Sequence, residues 1–264
     1  MLWLATLLLF SSLSAGEPIL PDVEPGDELI YFVIERQAPP FQIERNGFGH
    51  RGIVSDIVYR LGLDLGLSIT TVSLPFKRML LEMKKPENRN CLSYGSPIWR
   101  LKGNDSVQSD CLLSQPILSV NHSLVTRADS DFSLSSVEEL FGQRLITLHG
   151  FNYATLMPHF DSGAIQKLDV KNQRAAYKAV MAGRGLGFVT MNLRVAYSFK
   201  TGESQRENFE LHDLSSIIPS YPVYISHGCG VSAELAGRLD RQYLKLIEQG
   251  SIDRIVDRYV SQEL

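Results

Sequence analysis

Residues Leu29–Glu35 read LIYFVIE, a short apolar run with the length and composition of a buried β-strand. Residues Ile53–Leu67 read IVSDIVYRLGLDLGL, in which apolar side chains recur four positions apart and mark one face of a helix. Residues Ile69–Leu74 read ITTVSL and alternate between apolar and polar side chains, as a second strand does. Strand, helix and strand joined by short connections favour parallel strands with the helix on one face of the sheet. The stretch therefore predicts an α/β fold.

The same pattern extends to both sides of a point near Ser123, where a second unit begins. In the first unit, a helix begins at Pro75, and Cys91–Tyr94 and Cys111–Leu113 are strand candidates separated by a polar insert. The further predicted elements are a strand at 123–130, a capped helix at 132–142, a strand at 144–150, a helix ending at His159, a strand at 164–170, a helix at Gln173–Ala182, a strand at Gly187–Met191, a return segment at Pro219–Ile225, and two helices between Ser232 and Leu264 that break at Gly250. We therefore expect two mainly parallel sheets flanked by helices.

The amino-terminal stretch Met1–Ala15 reads MLWLATLLLFSSLSA and carries no charged side chain. Its apolar run is too short to cross a membrane, which needs about 20 residues, and small residues follow it, as at a signal-peptidase site. We expect residues 1–16 to be a cleaved signal peptide, with cleavage near Ala15 or Gly16, and the mature protein to be soluble and periplasmic. Because no Lys or Arg precedes the apolar run, a buried N-terminal strand or helix is the alternative.

The composition is typical of a globular protein, with 44% hydrophobic residues, 21% charged residues and a net charge of −3. Basic residues are scattered without a stripe or cluster, which argues against a nucleic-acid partner. No pair of Cys or His residues has the spacing of a metal site, so we expect no metal and no cofactor. We expect a monomer.

Several short motifs span nearly the whole chain that follows the signal segment. They are APPF at Ala38–Phe41, GIVSD at Gly52–Asp56, LPFKRML at Leu74–Leu80, a Ser-Pro…Arg turn at Ser96–Arg100, LSQPIL at Leu113–Leu118, VEELFGQRLITLHGFNY at Val137–Tyr153, AVMAGRGLGF at Ala179–Phe188, and the spaced Leu, Ile, Gly and Tyr residues of Leu246–Tyr259. In this order they resemble the bacterial extracellular (periplasmic) solute-binding proteins of the polar-amino-acid type.

The resemblance implies the type II periplasmic-binding-protein fold, in which two α/β lobes are joined by two hinge strands. The first lobe would comprise residues 27–120 and 224–264, and the second lobe residues 121–223. In open α/β sheets the ligand lies beyond the carboxyl ends of the strands, and two hinged lobes close around it. A small molecule bound between the lobes is therefore expected.

The resemblance implies that Arg100 binds the ligand's carboxylate, since the family's arginine after the third strand makes a bidentate contact with that group. Ser96 begins the same turn, and Arg78 resembles an arginine that relatives place at the cleft-side start of a helix. The alternatives are a surface loop arginine and a solvated helix charge. Asn152 and Tyr153 would lie at the lip of a second anion site, because Gly150–Tyr153 precedes a predicted helix.

Aromatic residues are expected to form the walls of the cleft. Phe41 and Phe76 follow the first and second strands, and Trp99 adjoins Arg100. Aromatic faces can hold an apolar or cationic group. The alternative is that such a ring only covers the core.

One departure from the family bears on the ligand. Relatives that bind amino acids show Gly-Arg-x-Asp near residues 183–186 and a carboxylate at the end of the following strand. This chain has Gly-Arg-Gly-Leu, and its strand ends at Thr190-Met191-Asn192 without an acid. Glu35 could substitute, but a standard α-amino acid becomes doubtful, and Thr190 is the polar candidate at that strand end. A carboxylate, another polar metabolite or a modified amino acid is left open.

Three cysteines in an exported chain allow one disulfide and one remaining thiol. The resemblance implies that the strand returning from the second lobe inserts between the third and fourth strands of the first. Cys91, Cys111 and Cys229 would then lie on or near adjacent strands. The candidate pairs are Cys91–Cys229, tying the return segment to the sheet, and Cys91–Cys111, closing the polar insert. The sequence does not choose between them.

These expectations describe an exported, non-catalytic binding protein that captures a small polar metabolite, amino-acid-like or carboxylate, for ABC-type uptake. Its partner would be a membrane permease or receptor. One alternative is a stand-alone sensor that reports its ligand state to a signalling partner. Another is a dehydratase on the same fold, whose acid/base pair could be Glu35 with His149. No nucleophile elbow of the G-x-S-x-G type occurs in the sequence.

Overall fold

The structure is a computed structural model that describes residues 28–35, 38–45, 49–85, 90–99, 111–151 and 153–260. The expected signal peptide at residues 1–16 lies outside the described residues. No helix in the described part of the chain is long and apolar enough to cross a membrane.

The described ranges contain twelve strands and seven α-helices. In chain order they are β1 (Glu28–Ile34), β2 (Ile43–Glu44), β3 (His50–Arg51), α1 (Ile53–Leu65), β4 (Ser68–Leu74), α2 (Phe76–Glu82), β5 (Cys91–Gly95), β6 (Leu118–Val120), β7 (His122–Arg127), β8 (Arg144–Leu148), α3 (Met157–Asp161), β9 (Gln166–Val170), α4 (Gln173–Met181), β10 (Gly187–Met191), α5 (Asn192–Lys200), β11 (Phe209–Asp213), β12 (Tyr221–His227), α6 (Ala233–Glu248) and α7 (Ser251–Val260).

The first lobe is built on a five-stranded sheet with the order β4-β1-β5-β12-β6. Strand β1 pairs in parallel with β4 and β5, and its register places Glu28 opposite Ser68. Strand β12 runs antiparallel between β5 and β6, with Tyr224 opposite Gly95 and Tyr221 opposite Val120. The predicted parallel sheet with a returning strand is therefore confirmed.

The second lobe is built on a five-stranded sheet with the order β11-β7-β10-β8-β9. Strands β8, β9 and β10 are parallel to one another, and β7 runs antiparallel between β10 and β11. Each sheet thus has one antiparallel strand, and each of these strands adjoins a crossing of the chain between lobes. Only Asn121 separates β6 in the first sheet from β7 in the second.

Alternation along the strands of the second sheet divides its core into two apolar layers. Neighbouring residues such as Leu124 and Val125, or Leu145 and Ile146, fall into different buried clusters. Side chains on successive strand positions point to opposite faces, so both faces are covered by apolar groups. In the first lobe a single larger cluster joins the sheet to α1, α6 and α7.

The start of α1 depends on a glycine. Gly52 has φ 120°, and a Cβ atom there would lie 2.5 Å from the Phe41 carbonyl oxygen and 2.7 Å from that of Pro40. The same two carbonyls accept hydrogen bonds from the backbone N–H groups of Val54 and Ile53. A glycine at this position therefore lets the Pro-rich loop cap the first turn of the helix.

Two predicted elements are wrong in extent. Of the strand expected at Cys111–Leu113, only Leu112 forms an isolated bridge, to Ser226. The segment still runs beside β12, since the N–H groups of Leu113 and Ile117 donate hydrogen bonds to the carbonyls of Ile225 and Val223. Pro116, between them, has no N–H to donate to a ladder. The helix expected at 132–142 is reduced to one 3-10 turn at Val137–Leu140, which has the predicted capping box.

The disulfide joins Cys111 to Cys229, whose Cα atoms are 5.5 Å apart, and Cys91 is a free, buried thiol. Both predicted pairings are therefore wrong. The backbone of Cys91 does lie beside the return segment, since its carbonyl accepts a hydrogen bond from the N–H of Gly228 at 2.9 Å. Its side chain, however, belongs to the apolar core of the first lobe. Burial raises the pKa of this thiol to about 11.

Candidate functional site

A cavity of about 290 Å³ lies between the two lobes. Strands β5, β8 and β10 end beside it, and strands β7 and β12 begin there. The described residues that line it are Phe76, Ile98, Trp99, His122, Leu148, Phe151, Tyr153, Ala154, Thr155, Thr190, Met191, Arg194, Ile218, Pro219, Ser220 and Tyr221. Because parallel strands present their carboxyl ends at one edge, the connections after β5, β8 and β10 converge here. Ile98, Thr155 and Ser220 are exposed and mark the opening to solvent.

Arg194 is the buried cation of this cavity. It lies in the first turn of α5, directly after β10, and only 2% of its surface is exposed. Its guanidinium carbon lies 5.2 Å from the ring centroid of Phe151 in the second lobe and 5.8 Å from that of Phe41 in the first lobe. Its charge also acts on the hydroxyl of Tyr94 on β5. Arg194 is therefore held by aromatic groups from both lobes.

The charge of Arg194 affects the tyrosine that it contacts. Burial raises the pKa of Tyr94 to about 12, and the nearby positive charge of the guanidinium partly offsets the effect of burial. The phenol therefore remains neutral at physiological pH.

Aromatic rings from both lobes meet at the wall of the cavity. Phe76, at the start of α2, stacks on Phe151, with ring centroids 5.4 Å apart and planes 5° from parallel. Trp99 makes edge-to-face contacts with Phe76 and with Tyr94, at 5.4 Å and 5.3 Å respectively. The predicted aromatic positions Phe76 and Trp99 do line the cavity.

Buried polar atoms of the lining include Nδ1 of His122 and Oγ1 of Thr190, which have no hydrogen-bond partner among the described residues. His122 and Thr190 are 4% and 3% exposed. Burial and then the charge of Arg194 lower the pKa of His122 to about 4, so the imidazole is neutral at physiological pH. Buried polar groups are normally satisfied in native proteins, and these two atoms are available to a ligand.

Tyr153 lines the cavity with its ring, and its hydroxyl is engaged elsewhere. The hydroxyl accepts a hydrogen bond from the N–H of Leu148 at 3.2 Å and donates one to the carbonyl of Val189 at 3.4 Å. Helix α3 begins only at Met157 and is five residues long. The expected anion site at Gly150–Tyr153 is therefore not at the start of a helix, and that expectation is wrong.

Four other predicted residues lie outside the cavity lining, namely Phe41, Ser96, Arg78 and Glu35. Phe41 is fully buried beneath it and stacks on Tyr94 at 4.9 Å. Ser96 is also buried, and its carbonyl accepts a hydrogen bond from the N–H of Trp99. The exposed side chain of Arg78 lies 3.7 Å from Glu82, one turn along α2. The structure gives Arg78 the role of a solvated helix charge.

Glu35 lines a second cavity of about 310 Å³, together with Phe76, Lys77, His149 and Lys171. Phe76 lines both cavities, but Glu35 is not among the described residues that line the first one. Glu35 therefore does not replace the acid that the family places at the end of β10. The predicted ligand residues Arg100 and Asn152 lie outside the described residues.

The sequence reasoning missed Arg194 and His122. Thr190 was predicted, but α5 was not, although Val195 and Phe199 are four apart and follow directly after a predicted strand. Recognising that helix would have placed Arg194 within one turn of a strand's carboxyl end. A histidine at the start of a strand carries no comparable signal.

Across the described ranges, no group of three or more His, Cys, Asp or Glu side chains could hold a metal ion. The chemistry available at the cavity is one buried cation, neutral hydrogen-bonding groups and aromatic surface.

The chain is similar in structure to several solved proteins. A mutant of ArgBP from T. maritima superposes with a TM-score of 0.66 and 17% identity, over 89% of this chain and 96% of that one. The substrate-binding protein of an amino acid ABC transporter gives 0.68 and 13%, over 89% and 100%. The VFT2 domain of Bordetella pertussis BvgS gives 0.65 and 15%, over 89% and 94%.

No protein-family model and no curated protein matches the sequence. Both matches cover 89% of this chain, which contains two five-stranded sheets. The chain has the type II periplasmic-binding-protein fold.

Proposed function

We propose that this chain is a binding protein that encloses a small solute in the cavity between its lobes. The observation that carries the proposal is Arg194, a buried cation in the cavity wall that contacts Phe151 of the second lobe and Phe41 and Tyr94 of the first. A ligand that reaches this side chain would touch groups from both lobes. Its binding energy would therefore favour the closed arrangement.

The cavity supports a small ligand. Its volume of about 290 Å³ is at the lower end of the range for ligand pockets. Most of its lining is apolar or aromatic, and a few polar groups converge on it. This is the usual composition of a small-molecule site, in which apolar surface supplies affinity and polar groups fix orientation.

The setting we propose is export to the periplasm and delivery of the solute to the permease of an ABC transporter. The Cys111–Cys229 disulfide supports an oxidising compartment. One structural neighbour is described as the substrate-binding protein of an amino acid ABC transporter, which supports a transport role. Another is a domain of BvgS, whose structure was solved as part of a periplasmic domain, and it supports the sensor alternative.

Thermal unfolding of the mature protein tests the binding proposal. We expect a member of a panel of organic acids, amino acids, amines, sugars and small peptides to raise the melting temperature. At 100 times its dissociation constant, such a ligand adds about 2.7 kcal/mol to the free energy of unfolding. Thr190→Val should weaken that shift, whereas Thr201→Val, outside the cavity in the same lobe, should leave it unchanged. A panel without any stabilising compound would contradict the proposal.

The dehydratase alternative rests on Glu35 and His149, which line the same second cavity. Both residues are exposed, so bulk water reaches them. We propose that the chain does not catalyse, since a dehydration site is expected to exclude water from the reacting groups. Proton NMR of a bound solute after prolonged incubation tests this, because an enzyme would convert the solute and a binding protein would return it unchanged.

A further inference from the structure

We infer that the cavity takes a small carboxylate that has an aromatic or branched aliphatic body and no ammonium group. This inference rests on the proposed binding function and specifies the ligand class of the same cavity. Arg194 would bind the carboxylate, and the aromatic wall would bind the body.

The charge of the cavity selects the anion. Arg194 is the one formally charged side chain among the described residues that line the cavity, and His122 beside it is neutral because its pKa is lowered to about 4. A positive charge in a low-dielectric wall attracts an anion more strongly than it would in water. A guanidinium matches the two oxygens of a carboxylate with parallel N–H donors.

The same lining disfavours an ammonium group. No Asp or Glu is present among the described lining residues, and β10 ends at Thr190 and Met191. Glu35 lies in the second cavity. An ammonium ion in the first cavity would lose hydration without gaining an anionic partner among the described lining residues, and it would be repelled by Arg194.

The body of the ligand is defined by the remaining walls. The rings of Phe76, Phe151 and Trp99 lie on one side, and Leu148, Met191 and Ile218 add aliphatic surface. Such walls favour an aromatic or branched apolar group over a sugar or a polar chain. Thr190 Oγ1 and His122 Nδ1 are the unpartnered polar atoms that could hydrogen-bond to a second oxygen of the ligand.

Three matched probes separate these contributions in the wild-type protein, measured by calorimetry. They are 3-phenylpropionate, which has only the carboxylate, L-phenylalanine, which adds an ammonium group, and phenethylamine, which has only the ammonium group. We expect 3-phenylpropionate to bind, L-phenylalanine to bind at least roughly tenfold more weakly, and phenethylamine not to bind. The pair 4-methylpentanoate and L-leucine repeats the comparison with a branched aliphatic body.

Variants test the assigned residue. Arg194→Gln should weaken 3-phenylpropionate binding by roughly 30-fold or more, and Arg194→Lys should retain part of the affinity because it keeps the charge. Arg184→Gln is the matched control, since Arg184 is an exposed arginine of the same lobe outside the cavity. Circular dichroism of each variant shows whether it is folded, and the wild-type probe comparison stands without any variant.

The outcomes distinguish the two proposals. If L-phenylalanine or phenethylamine binds as tightly as 3-phenylpropionate, the inferred ligand class is overturned while the binding function stands. The same holds if only a sugar or a polar chain from the broad panel binds, or if folded Arg194→Gln keeps full affinity. If no compound of either set binds, the binding function itself fails, and the ligand class fails with it.

Discussion

His122 is buried beside a fixed positive charge, and its protonation should therefore destabilise the fold. Burial and Arg194 lower the pKa of the imidazole from 6.5 to about 4, and Tyr221 from β12 packs against the ring at 5.6 Å. The unfolded chain therefore binds a proton at higher pH than the native protein does. The contribution of neutral His122 to the free energy of unfolding is fully present above pH 6.5. It amounts to about 3 kcal/mol and is lost as the pH falls to about 4.

Urea unfolding of the wild type and of His122→Gln between pH 7.5 and pH 4 measures this contribution. We expect the free energy of unfolding to fall less steeply with decreasing pH in the variant, which has no imidazole to protonate. An NMR titration of the His122 ring in the wild type should show a midpoint near pH 4. Parallel stability curves, or a midpoint near 6.5, would contradict the prediction.

Gly52 is a second residue whose environment fixes its identity. Its φ of 120° is a conformation that other residues rarely adopt, and a Cβ would lie 2.5 Å from the carbonyl oxygen of Phe41. Gly52→Ala should lower the free energy of unfolding by at least about 2 kcal/mol. Gly142→Ala is the control, because φ there is also positive, at 75°, but no atom lies within 4 Å of an added Cβ. Equal losses in both variants would show that the carbonyl contacts do not matter.

At the scale of elements, periodicity predicted those whose buried face is continuous. Strands β1, β4 and β10 and helices α1, α4, α6 and α7 lie where the sequence places them, because each buries apolar side chains in the core of its own lobe. The 3-10 turn at Val137–Leu140 has its predicted capping box, but that box places the N-cap at Ser136, and the turn ends where Phe141 takes an extended conformation with φ −67° and ψ 139°.

The site was harder to predict than the elements, because its residues meet only in three dimensions. Phe76, Trp99, Tyr153 and Thr190 line the cavity; the first three follow predicted strands, and Thr190 lies near the end of one. Arg194 was missed together with α5, and it contacts Phe41 and Tyr94, residues about 100 or more positions away. The cysteines show the same limit, since adjacency of strands does not tell which side chain faces the core.

The disulfide connects the segment before β6 to the segment after β12, across a sequence separation of 118 residues. Replacing both partners, in Cys111→Ser/Cys229→Ser, should lower the free energy of unfolding by about 2–5 kcal/mol, because the unfolded chain loses a long closed loop. Denaturant unfolding measures the loss. Mass spectrometry of the native protein should assign the bridge to this pair.

The buried thiol of Cys91 provides a control within the same protein. Because burial raises its pKa to about 11, this thiol should not react with a thiol reagent at pH 8 in the native protein. In the denatured protein, one thiol per chain should react. A rapidly reacting native thiol, or a bridge that includes Cys91, would contradict the assignment.

At the scale of the whole molecule, the two lobes are in direct contact. Phe76 stacks on Phe151 across the cleft, and Gln173 at the start of α4 donates a hydrogen bond to the carbonyl of Pro39 at 3.2 Å. Lys200 of α5 donates a hydrogen bond to the carbonyl of Arg258 at the end of α7, at 2.8 Å. Weakening these contacts should shift the population between closed and open forms.

Phe76→Ala tests this balance. An aromatic pair contributes about 0.5–1.5 kcal/mol beyond its buried area, so its loss should lower the closed-to-open ratio by roughly two- to tenfold. We expect small-angle X-ray scattering to show a larger radius of gyration for the ligand-free variant than for the wild type. Leu63→Ala, at a residue that is 78% exposed in the same lobe, is the control and should not change it. Because a ligand bound by Arg194 would contact groups from both lobes, a saturating ligand should restore the wild-type radius. An unchanged radius in the ligand-free variant would mean that the hydrogen bonds of Gln173 and Lys200 hold the lobes together without the stacked rings.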